Sequence, residues 1–308
     1  MENIYDVMIL GAGAAGLTAG IYTSRAKLRT LILNEGVIGG QMVLTNEIAN
    51  YPGVETTSGY AVATIMKKQA KSFGCEIKSN IKIQTYRLHD EIKSVDLEDG
   101  RSFQARSVIV APGGRPRPLN IPGEDEFKGK GVSYCATCDG EFFTGKDLVV
   151  VGGGNSALEE AVALTTYANK VTIVHQFDHF QAFRHAIEEV DKNPKIDFIM
   201  ESELRGFFGD EKLKKVSIEH LPTGKISEMG IDGTFVFIGY IPGTEDFKGL
   251  IALNERKEII VDADMKTDIP GVFAAGDCIV KRYRQVTTAV ADGTIAALSA
   301  ADYLRNVK

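Results

Sequence analysis

Two stretches of the chain carry one pattern: a short apolar run, a glycine-rich turn, then apolar residues at helical spacing. The first reads Asp6-Val7-Met8-Ile9-Leu10-Gly11-Ala12-Gly13-Ala14-Ala15-Gly16-Leu17. The second reads Asp147-Leu148-Val149-Val150-Val151-Gly152-Gly153-Gly154-Asn155-Ser156-Ala157-Leu158. Each apolar run predicts a strand covered on both faces, and each following segment predicts a helix. After Ala157, the residues Leu158, Ala161, Val162 and Leu164 fall on one helical face. Further strands are predicted at 28–34 and 170–175, a strand pair at 216–221 and 226–229, and a late helix at 288–303. Between Ala186 and Val236 little beyond that strand pair is legible, so a trimmed second unit is expected.

A lone GxGxxG turn is weak evidence. Here each copy has the strand before it, the helix after it and a second strand beyond, which is the βαβ unit that holds dinucleotides. The glycines permit a tight turn, close approach of a pyrophosphate and close helix–strand packing, with the phosphates at the helix N-terminus. The expected fold is therefore α/β, with two Rossmann-like, three-layer nucleotide-binding folds. In the first unit Gly11, Gly13, Ala14, Ala15 and Gly16 form the expected phosphate turn. Glu35 lies 24 residues beyond Gly11, at the end of the second strand, where a carboxylate accepts hydrogen bonds from ribose hydroxyls. The same offset from Gly152 lands on Gln176, and no arginine follows until Arg184.

With 308 residues the chain suits two domains. A net charge of −6 argues against nucleic-acid binding, which leaves a basic footprint. No window approaches the roughly 18 apolar residues that cross a bilayer. The N-terminal residues have no basic start and lead straight into a strand, unlike a signal peptide, so a cytoplasmic location is expected. Of the four cysteines, Cys75 and Cys278 stand alone and are expected as small packed residues. Cys135 and Cys138 form a CxxC, which in a reducing compartment is redox-active or metal-binding. Zinc needs four ligands, typically two such pairs. Only one pair exists and no histidine is close in sequence, so no metal site is expected. Asp277 ends an apolar run (Val272–Ala275) ahead of the late helix, a position that suits either a ligand contact or a plain helix cap.

Taken with Gly11–Gly16, Gly152–Ala157 and Cys135-Ala136-Thr137-Cys138-Asp139-Gly140, further stretches complete a resemblance. They are Glu35–Gln41, Asn50-Tyr51-Pro52-Gly53, Phe235–Gly239, Gly271–Asp277 and Arg284–Ala289. Over essentially its whole length the chain resembles the low-molecular-weight thioredoxin reductases. The resemblance implies an FAD-binding domain built from 1–114 and 241–308, interrupted by a smaller inserted domain, 115–240, that carries the CxxC. It implies FAD contacts from Gly40, Gln41, Asn50, Gly276, Asp277, Arg284, Gln285 and Val286. It also implies that reduced flavin passes electrons to the Cys135–Cys138 disulfide, with Cys138 next to the flavin. Cys135 then attacks a thioredoxin disulfide, Cys138 resolves the mixed disulfide, and Asp139 protonates the leaving thiolate. A homodimer is implied by the same analogy.

One stretch departs from the pattern. NADPH-dependent members carry His-Arg-Arg-Asp-x-x-Arg after the second strand of the inserted fold, and those arginines grip the 2′-phosphate. Here the stretch is His175-Gln176-Phe177-Asp178-His179-Phe180-Gln181. Losing three charge-assisted hydrogen bonds weakens NADPH binding by roughly 4 kcal/mol or more, about three decades. Gln176 supplies no acid for NADH either. The chain is thus most similar to the ferredoxin-dependent flavin thioredoxin reductases, which implies a vestigial second nucleotide site. Lys281, Arg282 and Arg284, with Arg115 and Arg117, are the expected basic docking surface for an acidic ferredoxin. Two alternatives stand beside this: an NADPH-dependent reductase with atypical contacts, and a flavin-bearing sensor or scaffold that does not turn over.

Overall fold

The structure is a computed structural model that describes residues 4–44 and 48–306. In chain order the elements begin with β1 (Tyr5–Leu10), α1 (Ala14–Arg25), β2 (Thr30–Asn34), α2 (Gly59–Ser72) and β3 (Glu76–Ser79). Strands β4 (Ile83–Arg87), β5 (Lys93–Leu97), β6 (Ser102–Val110) and β7 (Gly114–Pro116) follow. Next come α3 (Glu124–Phe127), β8 (Val132–Ser133), α4 (Ala136–Asp139), β9 (Asp147–Val151), α5 (Asn155–Leu164), β10 (Lys170–Val174), α6 (Arg184–Asp191) and β11 (Ile196–Ile199). The chain closes with β12 (Ser202–Gly209), β13 (Leu213–His220), β14 (Lys225–Gly230), β15 (Gly233–Val236), β16 (Tyr240–Pro242), β17 (Val272–Ala274) and α7 (Val286–Asn306). The elements divide into two compact units: the residues up to Arg115 with those from Pro242 onward, and Pro116–Ile241.

In the first unit β1 pairs in parallel with β2 and β6, and β17 joins β6 in parallel. The sheet order is β3-β2-β1-β6-β5-β4, with the β4–β5–β6 edge antiparallel. Alternation along the strands builds three layers, because successive side chains point to opposite faces. Val7 and Ile9 of β1 pack with Leu17, Ile32, Ala296 and Ala297 on the side of α1 and α7. Met8 and Leu10 pack with Leu31, Leu33, Val110 and Ile259 on the other side. Both faces are covered, which is why Val7–Leu10 of β1 reads as one unbroken apolar run.

The second unit repeats this logic in a five-stranded parallel sheet, order β11-β10-β9-β15-β8. Leu148, Val150, Ile173 and Phe235 face Leu158, Leu164 and Ala186. Val149, Val151 and Val174 face Leu204, Val216 and Ile218 of the antiparallel sheet β12-β13-β14.

The expectation of a trimmed second unit is wrong. Between Ala186 and Val236 the chain forms most of α6, then β11, three antiparallel strands and β15. The predicted pair corresponds to β13 and β14, whereas β12 escaped notice because only one of its faces is covered. Leu204 and Phe207, or Val216 and Ile218, alternate with Arg205, Lys215 and Glu219, so no buried run is visible.

Close packing of α1 on α7 depends on Gly293, where a Cβ would stand 2.3 Å from the Ala15 carbonyl oxygen. Gly293→Ala is expected to force the helices apart and lower stability by about 1–3 kcal/mol. Thermal unfolding of the holoprotein checks this. Among the described residues no helix is long and apolar enough to cross a membrane.

Candidate active site and cofactor site

Cys135 and Cys138 are joined in a disulfide that spans the one-turn helix α4. The Cys135 Sγ also accepts the Cys138 backbone N–H at 3.2 Å. Asp139 closes the same turn. Its Oδ2 accepts a 2.6 Å hydrogen bond from the Ser133 hydroxyl, and the Ser133 Oγ accepts the Cys135 N–H at 3.1 Å. Burial holds the Asp139 carboxyl above its usual range, and the Ser133 hydrogen bond partly offsets this. The acid form therefore persists to higher pH than for a solvated aspartate. A reaction that needs its proton is expected to slow as pH rises through that raised value, and a pH–rate profile checks it.

The strand leading into the CxxC is pinned from outside. Tyr134 donates to Glu124 Oε1 at 2.5 Å, and the same carboxylate accepts the Leu119 and Asn120 N–H groups at 2.8 and 2.6 Å.

The other two cysteines are buried free thiols. Burial pushes Cys75 up to about 11 and Cys278 up to about 12. Thiolate is the reactive form. Iodoacetamide at pH 8 is accordingly expected to label Cys135 and Cys138 after reduction and to spare Cys75 and Cys278, with peptide mass mapping as the readout. Among the described residues no cluster of three His, Cys, Asp or Glu side chains suits a metal ion.

In the first unit the glycine-rich turn runs from β1 into α1. Gly11 has φ +112, and a Cβ there would stand 2.2 Å from the Ala111 carbonyl oxygen. Nothing lies within 4 Å of a Cβ at Gly13, so the start of α1 is open to a ligand. The turn is tied to β2 by Asn34, whose Oδ1 accepts the Ala12 N–H at 2.9 Å. Asn34 went unnoticed in the sequence because its role is internal to the turn. Glu35 stands next, exposed, with Oε1 accepting the Ile83 N–H at 2.8 Å. Asn50 donates to Gln285 at 3.2 Å, which joins two expected flavin contacts that lie 235 residues apart in the chain. Gly40 and Gln41 begin a 3-10 turn, and Val286 begins α7.

Asp277 carries the sharpest signal. Its Oδ1 is buried and has no hydrogen-bond partner among the described residues. Burial raises its carboxyl, against the pull of Lys281 and Arg284. A buried acceptor without a partner is costly unless a ligand completes it. An open helix start and an orphaned acid beyond β17 in the same unit fit a bound dinucleotide.

The expected basic docking surface is partly wrong. Lys281 pairs with Asp292 and Arg284 with Glu258, and all four are largely buried. The acids come from distant segments, so the sequence showed only the cations. Arg282 stays exposed, with its guanidinium 5.1 Å from the Tyr283 ring centroid. Arg115 and Arg117 are exposed as well.

The second glycine-rich turn has the same backbone form, with Gly152 at φ +134. The chain itself packs over it. The Gln181 N–H donates to the Gly153 carbonyl at 2.8 Å, and the Phe183 N–H donates to Asn155 Oδ1 at 2.7 Å. The His175 ring lies against Gly153, where a Cβ would be 2.4 Å from it. Phe177 meets this ring edge-on at 5.3 Å and Phe180 stacks on it at 5.8 Å. Burial lowers the His175 pKa, and its Nε2 has no hydrogen-bond partner among the described residues.

The pyridine nucleotide-disulphide oxidoreductase model matches residues 5–293. A thioredoxin reductase of Peptoclostridium acidaminophilum is 46% identical over 311 residues, covering 99% of this chain and 98% of that relative. The chain belongs to the thioredoxin reductases of the pyridine nucleotide-disulphide oxidoreductase family. A protein of the rubredoxin operon of Clostridium pasteurianum is 45% identical over 98% of this chain and 98% of that relative. The crystal structure of thioredoxin reductase from Streptococcus pyogenes superposes with a TM-score of 0.94 at 40% identity, covering 99% of this chain and 100% of that one. Members of this family are FAD flavoproteins, so FAD is the dinucleotide that the turn and Asp277 fit.

Proposed function

We propose that this protein is a flavin-dependent thioredoxin reductase that takes its electrons from reduced ferredoxin. The first unit holds FAD. The Gly11, Gly13, Ala14, Ala15 and Gly16 turn receives the pyrophosphate and Glu35 the ribose. Gly40, Gln41, Asn50, Gly276, Asp277, Arg284, Gln285 and Val286 surround the rest of the cofactor. Bound FAD supplies the electron pair that opens the Cys135–Cys138 disulfide, and it can collect that pair one electron at a time.

The remaining steps belong to the chain. The Cys135 thiolate attacks one sulfur of the thioredoxin disulfide, forming a mixed disulfide and expelling a thiolate. Asp139 gives that thiolate its proton. Cys138 then gives its proton to the Asp139 carboxylate, attacks Cys135 and reforms the protein disulfide, and the second substrate thiolate leaves and takes from water the proton that Cys135 had lost. Two thiols are made for each dithiol oxidised, so electrons and protons balance.

The observation that carries the choice of donor is the segment after β10. From His175 to Gln181 it offers no arginine for a 2′-phosphate, and its backbone and rings pack on the second glycine-rich turn. The test is steady-state reduction of a thioredoxin disulfide with one donor at a time. Turnover with reduced ferredoxin and not with NADPH is expected. Turnover at micromolar NADPH without ferredoxin contradicts it.

One observation favours the second reading, NADPH with atypical contacts. The unpartnered Nε2 of His175 sits beside the second turn, where a ligand would complete it. A homodimer accompanies the proposal, supported by exposed Ile295 and Leu298 on α7. Sedimentation velocity tests it.

A further inference from the structure

We propose that Ser133 is a positioning residue for dithiol–disulfide exchange, because its hydroxyl bridges the Cys135 backbone and the Asp139 carboxyl. The inference rests on the reading of Asp139 as the acid. Ser133 is 5% exposed and lies at the end of β8, paired in register with Phe235 of β15, so its backbone is fixed by the sheet core. A hydroxyl has one proton to give and two lone pairs to receive with. Ser133 gives its proton to Asp139 Oδ2 at 2.6 Å and receives the Cys135 N–H at 3.1 Å. No hydrogen bond reaches Asp139 Oδ1 among the described residues, so Oδ1 is the oxygen left to carry the acid proton. Without Ser133 the carboxyl is free to rotate about χ2, so neither oxygen is held in one orientation.

The charged groups near this pair are few. The elements packed against α4 carry Glu141 on the following turn and Glu159 and Glu160 on α5. None adds to the causes acting on Asp139, which are burial and the Ser133 hydrogen bond.

In the step at issue Cys135 forms a bond to one sulfur of the substrate disulfide as the bond between the two substrate sulfurs breaks. The departing thiolate takes the Oδ1 proton. The resulting carboxylate takes the Cys138 thiol proton as Cys138 closes on Cys135, which restores the acid. How much the acid matters depends on the leaving group. An alkyl thiolate is basic and leaves slowly without a proton, whereas an aromatic nitrothiolate is weakly basic and leaves unaided.

The test uses the FAD-loaded enzyme with Cys135 and Cys138 reduced. Its single-turnover oxidation is followed with 2-hydroxyethyl disulfide and, separately, with dithiobis(nitrobenzoate). Ser133→Ala is expected to slow the alkyl reaction about tenfold, a part of the usual general-acid contribution. The aromatic reaction should change less than about twofold, since that leaving group needs no acid. Ser133→Thr, which keeps the hydroxyl, is expected to restore the alkyl rate. The alkaline limb of the Ser133→Ala profile should move up, because the lost hydrogen bond had favoured the carboxylate.

Equal slowing of both disulfides by Ser133→Ala, with no rescue by threonine, means that the residue acts through packing and overturns the inference. So does an unchanged alkyl rate. Asp139→Asn separates the two levels of the argument. If it slows the alkyl reaction while Ser133→Ala does not, only the positioning inference fails. If it leaves both reactions untouched, the acid reading fails and this inference with it.

Discussion

Cys138→Ser is expected to abolish disulfide reductase turnover, with a loss of more than about a thousandfold. Removal of one member of a unit that acts together costs about as much as removal of the whole. Cys138 is the residue that closes on Cys135 to release product. With serine there, Cys135 can still attack, so a mixed disulfide between Cys135 and thioredoxin should accumulate as a stable adduct on non-reducing gels. Cys135→Ser should give no adduct and no turnover. The neighbourhood favours this division, since the Cys135 Sγ receives the Cys138 N–H and its backbone is held by Ser133. Retained turnover in Cys138→Ser would falsify the dithiol mechanism, and a sensor or scaffold role would then stand in its place.

The second large effect concerns the cofactor. Asp277→Ala is expected to weaken FAD binding by about 10- to 100-fold, the loss of one charge-assisted hydrogen bond of about 1.5–3 kcal/mol. The same change should leave the apoprotein no less stable, or slightly more so. It removes a buried oxygen that has no partner in the described chain and whose burial already disfavours the charge. Two measurements read it: FAD titration by flavin fluorescence, and thermal unfolding of the apoprotein. A destabilised apoprotein with unchanged FAD affinity would show that Asp277 serves the fold and not the cofactor.

Both glycine-rich turns were legible because the strand–turn–helix pattern is local, and its backbone demands are written in consecutive residues. Gly11 and Gly152 both have a positive φ, +112 and +134, as the repeat in the sequence implied. Strands β1 and β9 were equally plain, since both of their faces are covered and the runs Val7–Leu10 and Leu148–Val151 are wholly apolar. Only the β13–β14 pair of the antiparallel sheet β12-β13-β14 was legible, because covering one face leaves polar and charged residues such as Glu203, Arg205, Lys215 and Glu219 between the apolar ones. The pairing of Lys281 with Asp292 and of Arg284 with Glu258 was hidden for another reason. It joins segments 11 and 26 residues apart by folding alone, and no spacing rule announces it. Ser133 and Asn34 were missed because each works through a neighbour's backbone, so neither looked like a site residue in the sequence.

The packing of His175, Phe177, Phe180 and Gln181 on the second turn sharpens the question of the electron donor. Phe177 meets the His175 ring edge-on and Phe180 stacks on it, beside the turn. The most direct measurement is anaerobic stopped-flow absorbance of the flavin band, with the holoenzyme mixed against each donor alone. With reduced ferredoxin the flavin should bleach, and two thiols should appear at Cys135 and Cys138. With NADPH at micromolar concentration the band should stay unchanged over the same time. Rapid bleaching by NADPH, with no response to reduced ferredoxin, would contradict the proposed donor and assign the second glycine-rich turn a working nucleotide.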